Sequence, residues 1–257
     1  MTAVHPPLAP SDPGLAGLRA WYHTPPGECV AQLERALLRD VLPDLFGYHL
    51  LQVGDSVYDL TESSRISHRF VVGLDEVPSE PARAIARPDA LPILANSIDV
   101  VLLPHTLEFS PNPHGILREV ERVLIGEGHV LILGFNPWSL FGFSRRMLGW
   151  RGRAPWNGTF LGLARVKDWL KLLGFEIEHV LRTSFRPPMA QARWLTRLEF
   201  LEGMGGHFWP VLGNVYAVLA RKRLESVRPI RSAWMMRRRV AARGAIEPTA
   251  RRPEGWR

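Results

Sequence analysis

The sequence predicts an α/β fold built on a parallel sheet, on three observations. Residues 97–103 hold a buried-strand run, Ile98, Val100, Val101, Leu102 and Leu103, and His129–Phe135 is a continuous apolar run of strand length, the pattern of strands buried on both faces. One amphipathic helix separates them, with Ile116, Leu117, Val120, Val123 and Leu124 on its inner face and Arg118, Glu119, Glu121 and Arg122 facing mainly outward. Strand, helix and strand at these lengths make a βαβ unit, whose crossover is right-handed.

The remaining elements follow in order. Residues 1–20 are proline-rich at their start and are expected to be disordered. Pro25, Pro26 and Gly27 break the chain, after which Val30, Leu33, Leu37, Leu38, Val41 and Leu42 recur at helical spacing. Pro43 and Gly47 end that helix, and His49–Val53 runs into Gly54 as a first strand. Residues 56–65 suit a short helix, and 69–74 a second strand that reaches Asp75. Only a turn or two of helix and a stub of strand fit between Asp75 and Asp89, because Pro78, Pro81 and Pro88 interrupt the span. Asn112 is the expected N-cap of the central helix, with Pro113 at its first position, and Gly126 and Gly128 its end. Residues 136–159 form an insertion rich in Trp, Phe, Gly and Arg. A helix over Val166, Trp169, Leu170 and Leu173 ends at Gly174, and 175–183 is a strand. A second insertion covers 186–209, and 214–220 is the last strand. The expected organisation is one domain over 21–220 between the N-terminal segment and a tail at 221–257.

At 257 residues, 46% hydrophobic and 22% charged, the chain is long enough for one sizeable core. No apolar run approaches the ~20 residues that span a bilayer, and the first residues lack the basic and apolar regions of a signal peptide. A lone cysteine, Cys29, excludes an intrachain disulfide. These features point to a cytoplasmic protein. The net charge of +7 is concentrated in residues 221–257, which carry twelve basic and three acidic side chains, so the rest is nearly neutral. Such a tail is either a solvated terminus or a handle for nucleic acid, an anionic membrane surface or an acidic protein.

The segment from Asp89 to Phe135 carries a recognisable order of motifs. Asp89-Ala90-Leu91-Pro92-Ile93 is followed by Ser97-Ile98-Asp99-Val100-Val101, then by Leu117-Arg118-Glu119-Val120-Glu121-Arg122-Val123-Leu124 and Gly126-Glu127-Gly128. This series resembles the type-11 group of class I S-adenosylmethionine (SAM) dependent methyltransferases, a group in which D-x-x-x-L-P-F precedes S-F-D-x-V and a helix bearing L-x-E-x-x-R-V-L. More loosely, the resemblance extends over about residues 45–220, and the wider pattern is that of a bacterial subgroup. It implies a Rossmann-like class I methyltransferase fold, a mostly parallel seven-stranded sheet with helices on both faces, and S-adenosyl-L-methionine as cofactor.

The resemblance also assigns site residues. The glycine-rich loop after the first strand is reduced to Gly54, with Gln52 at the usual acidic position and Tyr58 at the last glycine. Asp75, twenty-one positions after Gly54, is placed to accept from the ribose hydroxyls, and Asp89 and Leu91 are placed at the adenine. Methyl transfer is an in-line displacement that needs alignment and exclusion of water more than acid–base chemistry. Where a base is needed, His105, after the fourth strand and near Glu108 and His114, is the candidate. The alternative for His105 is a loop histidine bonded to backbone, and the spacing of the three matches no zinc motif. Three functions stay open. The first is a SAM-dependent methyltransferase acting on a small or lipid-like acceptor. The second is a methyltransferase-like binding or scaffolding protein without catalysis, and the third a nucleic-acid methyltransferase using the basic tail.

Overall fold

A computed structural model describes residues 13–54, 58–73, 84–148, 154–185 and 212–224. The chain divides into two units at Leu224. The second unit, which is most of the basic tail, lies outside the described residues, as does the 186–209 insertion.

Two helices precede the sheet. Helix α1 (Pro13–Tyr22) occupies part of the stretch expected to be disordered. Its apolar Leu18, Trp21 and Tyr22 are buried, and burial of that size stabilises a helix that composition alone does not mark. Helix α2 (Pro25–Val41) begins on the prolines that sequence reads as a break: Thr24 is its N-cap, its side chain accepting from the Gly27 N–H, and Pro25 and Pro26 fill its first turn, where no amide hydrogen is needed. Gly27 lies so close to the Trp21 carbonyl and the Tyr22 backbone that a Cβ there would overlap them, which is what allows α1 and α2 to pack as a tight pair.

Seven strands follow: β1 (His49–Val53), β2 (His68–Gly73), β3 (Ala84–Ile85), β4 (Ile98–Pro104), β5 (Leu124–Phe135), β6 (Phe175–Thr183) and β7 (Val215–Lys222). Their order is β3-β2-β1-β4-β5-β7-β6. All pairings are parallel except those of β7, which runs antiparallel to β5 and β6. Residues 58–67 form turns in place of the expected short helix, and β3 is the stub that the three prolines allow.

Side chains alternate across the sheet. Leu51, Val53, Val101, Leu103, Val130 and Ile132 pack against α3 (Pro113–Val123) and α5 (Leu163–Leu172). Leu50, Val100, Leu102, Leu131 and Leu133 face α2. Helix α3 ends at Val123, before the glycine pair, and β5 begins at once, with Glu127 at φ +66 between the two glycines. The Asn112 side chain accepts from the Gly115 N–H at 3.0 Å. Asn112→Ala is expected to cost about 1 kcal/mol, measurable as a lowered urea midpoint at unchanged m-value.

Helix α4 (Leu140–Leu148), within the first insertion, is an element the sequence analysis does not foresee. It buries Phe141 and leaves Leu140, Phe143 and Met147 exposed along one stripe.

Candidate active site

In an open α/β sheet, ligands bind outside the carboxyl ends of the strands where strand order reverses. Here β1 is followed by β2 on one side and by β4 on the other, so the switch point lies between β1 and β4. Gly54 leaves β1 at that point with φ +109. Its N–H donates to the Val72 carbonyl at 2.9 Å, and its carbonyl accepts from the buried Gln52 side chain at 3.1 Å. Thr106, just past β4, donates its hydroxyl to the Val53 carbonyl at 2.6 Å. A Cβ on Gly54 would lie 2.5 Å from that hydroxyl oxygen. The turn is therefore one that only glycine makes without strain, and Gln52, which replaces an expected acid, braces it.

His105 and Gly54 thus stand at the ends of neighbouring strands, but their surroundings differ. His105 has φ +54 and is 1% exposed. One ring nitrogen, Nδ1, meets Glu108 at 2.8 Å, and Nε2 meets Glu34 of α2 at 2.9 Å. The ring stacks on Phe135 at 4.1 Å. Glu34 also accepts from the Tyr22 hydroxyl, and Glu108 from the Phe135 N–H. Burial, the strongest single influence on His105, opposes its charge, but the Glu34 and Glu108 carboxylates together outweigh it and hold its pKa up at about 10. Burial pushes the Glu108 carboxyl above its ordinary range, against the pull of His105. At neutral pH His105 is an imidazolium with both nitrogens engaged, so in this conformation it has no lone pair to accept an acceptor's proton. Its contacts are those of a group that fastens α2 to the β4 loop. His114 packs against the Trp169 ring at 3.8 Å instead of joining this cluster.

Glu34 and Tyr22 are the participants that sequence reasoning misses. A signal existed: Glu34 falls within the apolar stripe of α2, four residues after Val30 and three before Leu37, and it is buried while Leu33 is only half-buried. Around the cluster, Trp21, Phe141 and Phe160 close on Phe135, filling the carboxyl ends of β4 and β5 with aromatic rings.

On the other side of β1, the assigned adenine contacts are committed elsewhere. Both Asp89 carboxylate oxygens accept from Arg87, at 3.1 and 3.0 Å, and that pairing lowers the Asp89 pKa. The spacing D-x-x-x-L-P-F in fact puts the acid four residues before the Leu-Pro pair, at Arg87, two positions after the end of the β3 stub. Leu91 is buried in the core against α3, its N–H donating to Glu119 at 2.8 Å. Arg122 donates to the Leu91 and Ile93 carbonyls and pairs with Glu119. The E-x-x-R pair, read as outward-facing, therefore clamps the loop that enters β4. Asp75 lies outside the described residues, two positions beyond the end of β2.

Residues 67–132 match the family model described as a methyltransferase domain. The chain is 33% identical over 204 residues to the uncharacterised protein YafS of Escherichia coli K12, across 79% of this chain and 80% of YafS. The chain belongs to the class I SAM-dependent methyltransferase family. Among solved structures, a SAM-dependent methyltransferase from Thermotoga maritima superposes with a TM-score of 0.55 at 15% identity, covering 82% of this chain and 97% of that one. The [4+2]-cyclase SpnF superposes with a TM-score of 0.51, also at 15% identity, over 74% and 80% of the two chains. At these identities the likeness is one of fold, and a methyltransferase fold by itself does not fix the reaction.

The described residues fit the family's cofactor at one place. The Gly54 turn lies at the switch point with no side chain over it, and a Cβ there would meet the Thr106 hydroxyl. Asp89 and Leu91 do not fit in their present contacts, since one is paired with Arg87 and the other is core.

Proposed function

We propose that the protein is a SAM-dependent methyltransferase that binds its cofactor across the carboxyl ends of β1 and β2 and transfers a methyl group to a small or lipid-like acceptor. The observation that carries this reading is the Gly54 turn, held at φ +109 between Thr106 and Val72 at the switch point of the sheet. Asp75, by its position just past β2, is the residue proposed for the ribose hydroxyls. The bound cofactor supplies the electrophilic methyl group. The chain orients it through the Gly54 backbone, and the aromatic wall of Trp21, Phe135, Phe141 and Phe160 keeps water from the β4–β5 side. His105 is proposed as a positioning residue: through Glu34 and Glu108 it holds α2 and the β4 loop in the arrangement that shapes this edge.

Calorimetric titration with SAM and S-adenosylhomocysteine tests the reading. Saturable, one-to-one binding of both is expected, and an absence of binding at millimolar ligand would refute it. That second outcome would favour a binding or scaffolding role, the reading to which the Arg87–Asp89 pair lends support, because it occupies the acid assigned to the adenine. The basic tail is proposed as an electrostatic handle, whose partner binding would weaken steeply with salt.

A further inference from the structure

Past the closed aromatic cluster, on the β6 side of the same carboxyl edge, the described residues leave an opening. Asn136 at the end of β5, Arg182 near the end of β6, Tyr216 at the start of β7, and Trp138, Leu163 and Lys167 line a cavity of about 280 Å³. Three features set its chemistry. Its lining includes the Trp138 side chain, 77% exposed, and Leu163, while the Tyr216 hydroxyl already donates to the Leu161 carbonyl at 3.0 Å. Two cations, Lys167 and Arg182, stand on it, and no acidic residue is among the described residues that line it. Neither cation makes an ion pair among the described residues, whereas Arg221, Lys222 and Arg223 on the neighbouring strand and just past its end are all paired with glutamates. Helix α5 also begins here, on Gly162 with no side-chain cap, so its first-turn amides add to the positive potential.

Two cations with no ion pair among the described residues, on an apolar wall, suit a ligand that joins a negative group to an apolar body. We propose that this cavity is a second ligand site, separated from the Gly54 turn by the aromatic cluster, and that it takes a small organic anion, a carboxylate or a phosphate monoester, on an aryl or alkyl body. Lys167 and Arg182 hold the anionic group, and Trp138 and Leu163 cover the body. The volume, at the low end for small-molecule sites, limits the part that enters to a compact group. The inference goes beyond the methyltransferase reading and does not depend on it.

The test is calorimetric titration of the full chain with naphthalene-2-carboxylate, 2-naphthyl phosphate and the neutral naphthalene-2-methanol. Either anion is expected to bind saturably, about ten-fold or more tighter than the alcohol, and the tighter of the two names the acid. Lys167→Gln and Arg182→Gln are each expected to weaken the anion several-fold and together to abolish its binding, with S-adenosylhomocysteine affinity unchanged. Equal binding of the alcohol, no saturable binding of either anion at millimolar concentration, or indifference to both substitutions would overturn the proposal. Cofactor binding without anion binding removes the subsite alone. Anion binding without cofactor binding removes the methyltransferase reading and leaves an anion site.

Discussion

Replacing His105 with leucine is expected to destabilise the fold by about 3–5 kcal/mol, because it leaves two buried carboxylates without their shared cation. Glu34, His105 and Glu108 are each no more than 3% exposed, so water does not compensate the loss. His105→Asn tolerates the left-handed backbone at φ +54 but carries no charge, and it is expected to lose a similar amount. Urea unfolding measures both. A pure general base predicts the opposite pattern, normal stability with lost turnover, and that result would remove the positioning role assigned here.

The same cluster sets a pH dependence. The folded pKa of His105, about 10, lies above its ordinary 6.5, so the folded state binds more protons than the unfolded state across that interval. The contribution is complete below pH 6.5 and disappears as pH rises through 10. Glu108 is also raised, chiefly by burial, so its contribution has the same sign, complete below its ordinary 4.5 and lost as pH rises through its folded pKa. Tyr22, raised by burial and then by Glu34, adds a loss above its ordinary 10. Unfolding free energy is expected to fall steadily from pH 6.5 to 10 in the native chain, with the slope flattened in His105→Asn.

Gly54→Ala has the second large effect. The alanine methyl would meet the Thr106 hydroxyl, and a φ of +109 is strained for any L side chain. Either the backbone relaxes or Thr106 gives up its bond to the Val53 carbonyl, a cost of about 2–4 kcal/mol. If the turn cradles the cofactor, S-adenosylhomocysteine affinity falls more than ten-fold even under conditions where the variant is fully folded. Thr106→Val, which loses the hydroxyl but keeps Gly54, is expected to lose stability while retaining most of that affinity. Equal loss of affinity in both variants would assign the effect to stability alone.

The parts legible in the sequence are those where one physical pattern dominates. The runs at Val100–Leu103 and Val130–Phe135 are apolar on both faces, so only a strand covered on both sides suits them, and the 3.6-residue stripe of Ile116, Leu117, Val120 and Val123 fixes the helix between. The stub at Ala84–Ile85 followed from three prolines in a short span. Helix α1 was not legible because its stability comes from tertiary contacts, Trp21 docking on Phe135 and Phe141 more than a hundred positions away and Tyr22 meeting Glu34 and His105. Helix α4 was obscured because Leu140, Phe143 and Met147 stay exposed, which blurs its periodicity.

Around the candidate site, the Gly54 turn was legible because a backbone at φ +109 packed against Thr106 has one residue type as its solution. His105 was placed correctly at the β4 end, but its partner Glu34 comes from seventy-one positions upstream, and only tertiary contact turns a candidate base into a buried cation. Asp89 shows a third limit. A motif read by residue identity chose the nearest aspartate, whereas the family spacing falls on Arg87, the residue that this aspartate pairs with.

The central claim is that the β1–β4 switch point holds the cofactor, and a crystal structure with S-adenosylhomocysteine tests it most directly. The ligand is expected across the carboxyl end of β1, its amino-acid end against the Gly54 backbone and its ribose toward Asp75. A complex with the ligand elsewhere, or crystals grown at millimolar ligand with the Gly54 turn closed, would contradict it.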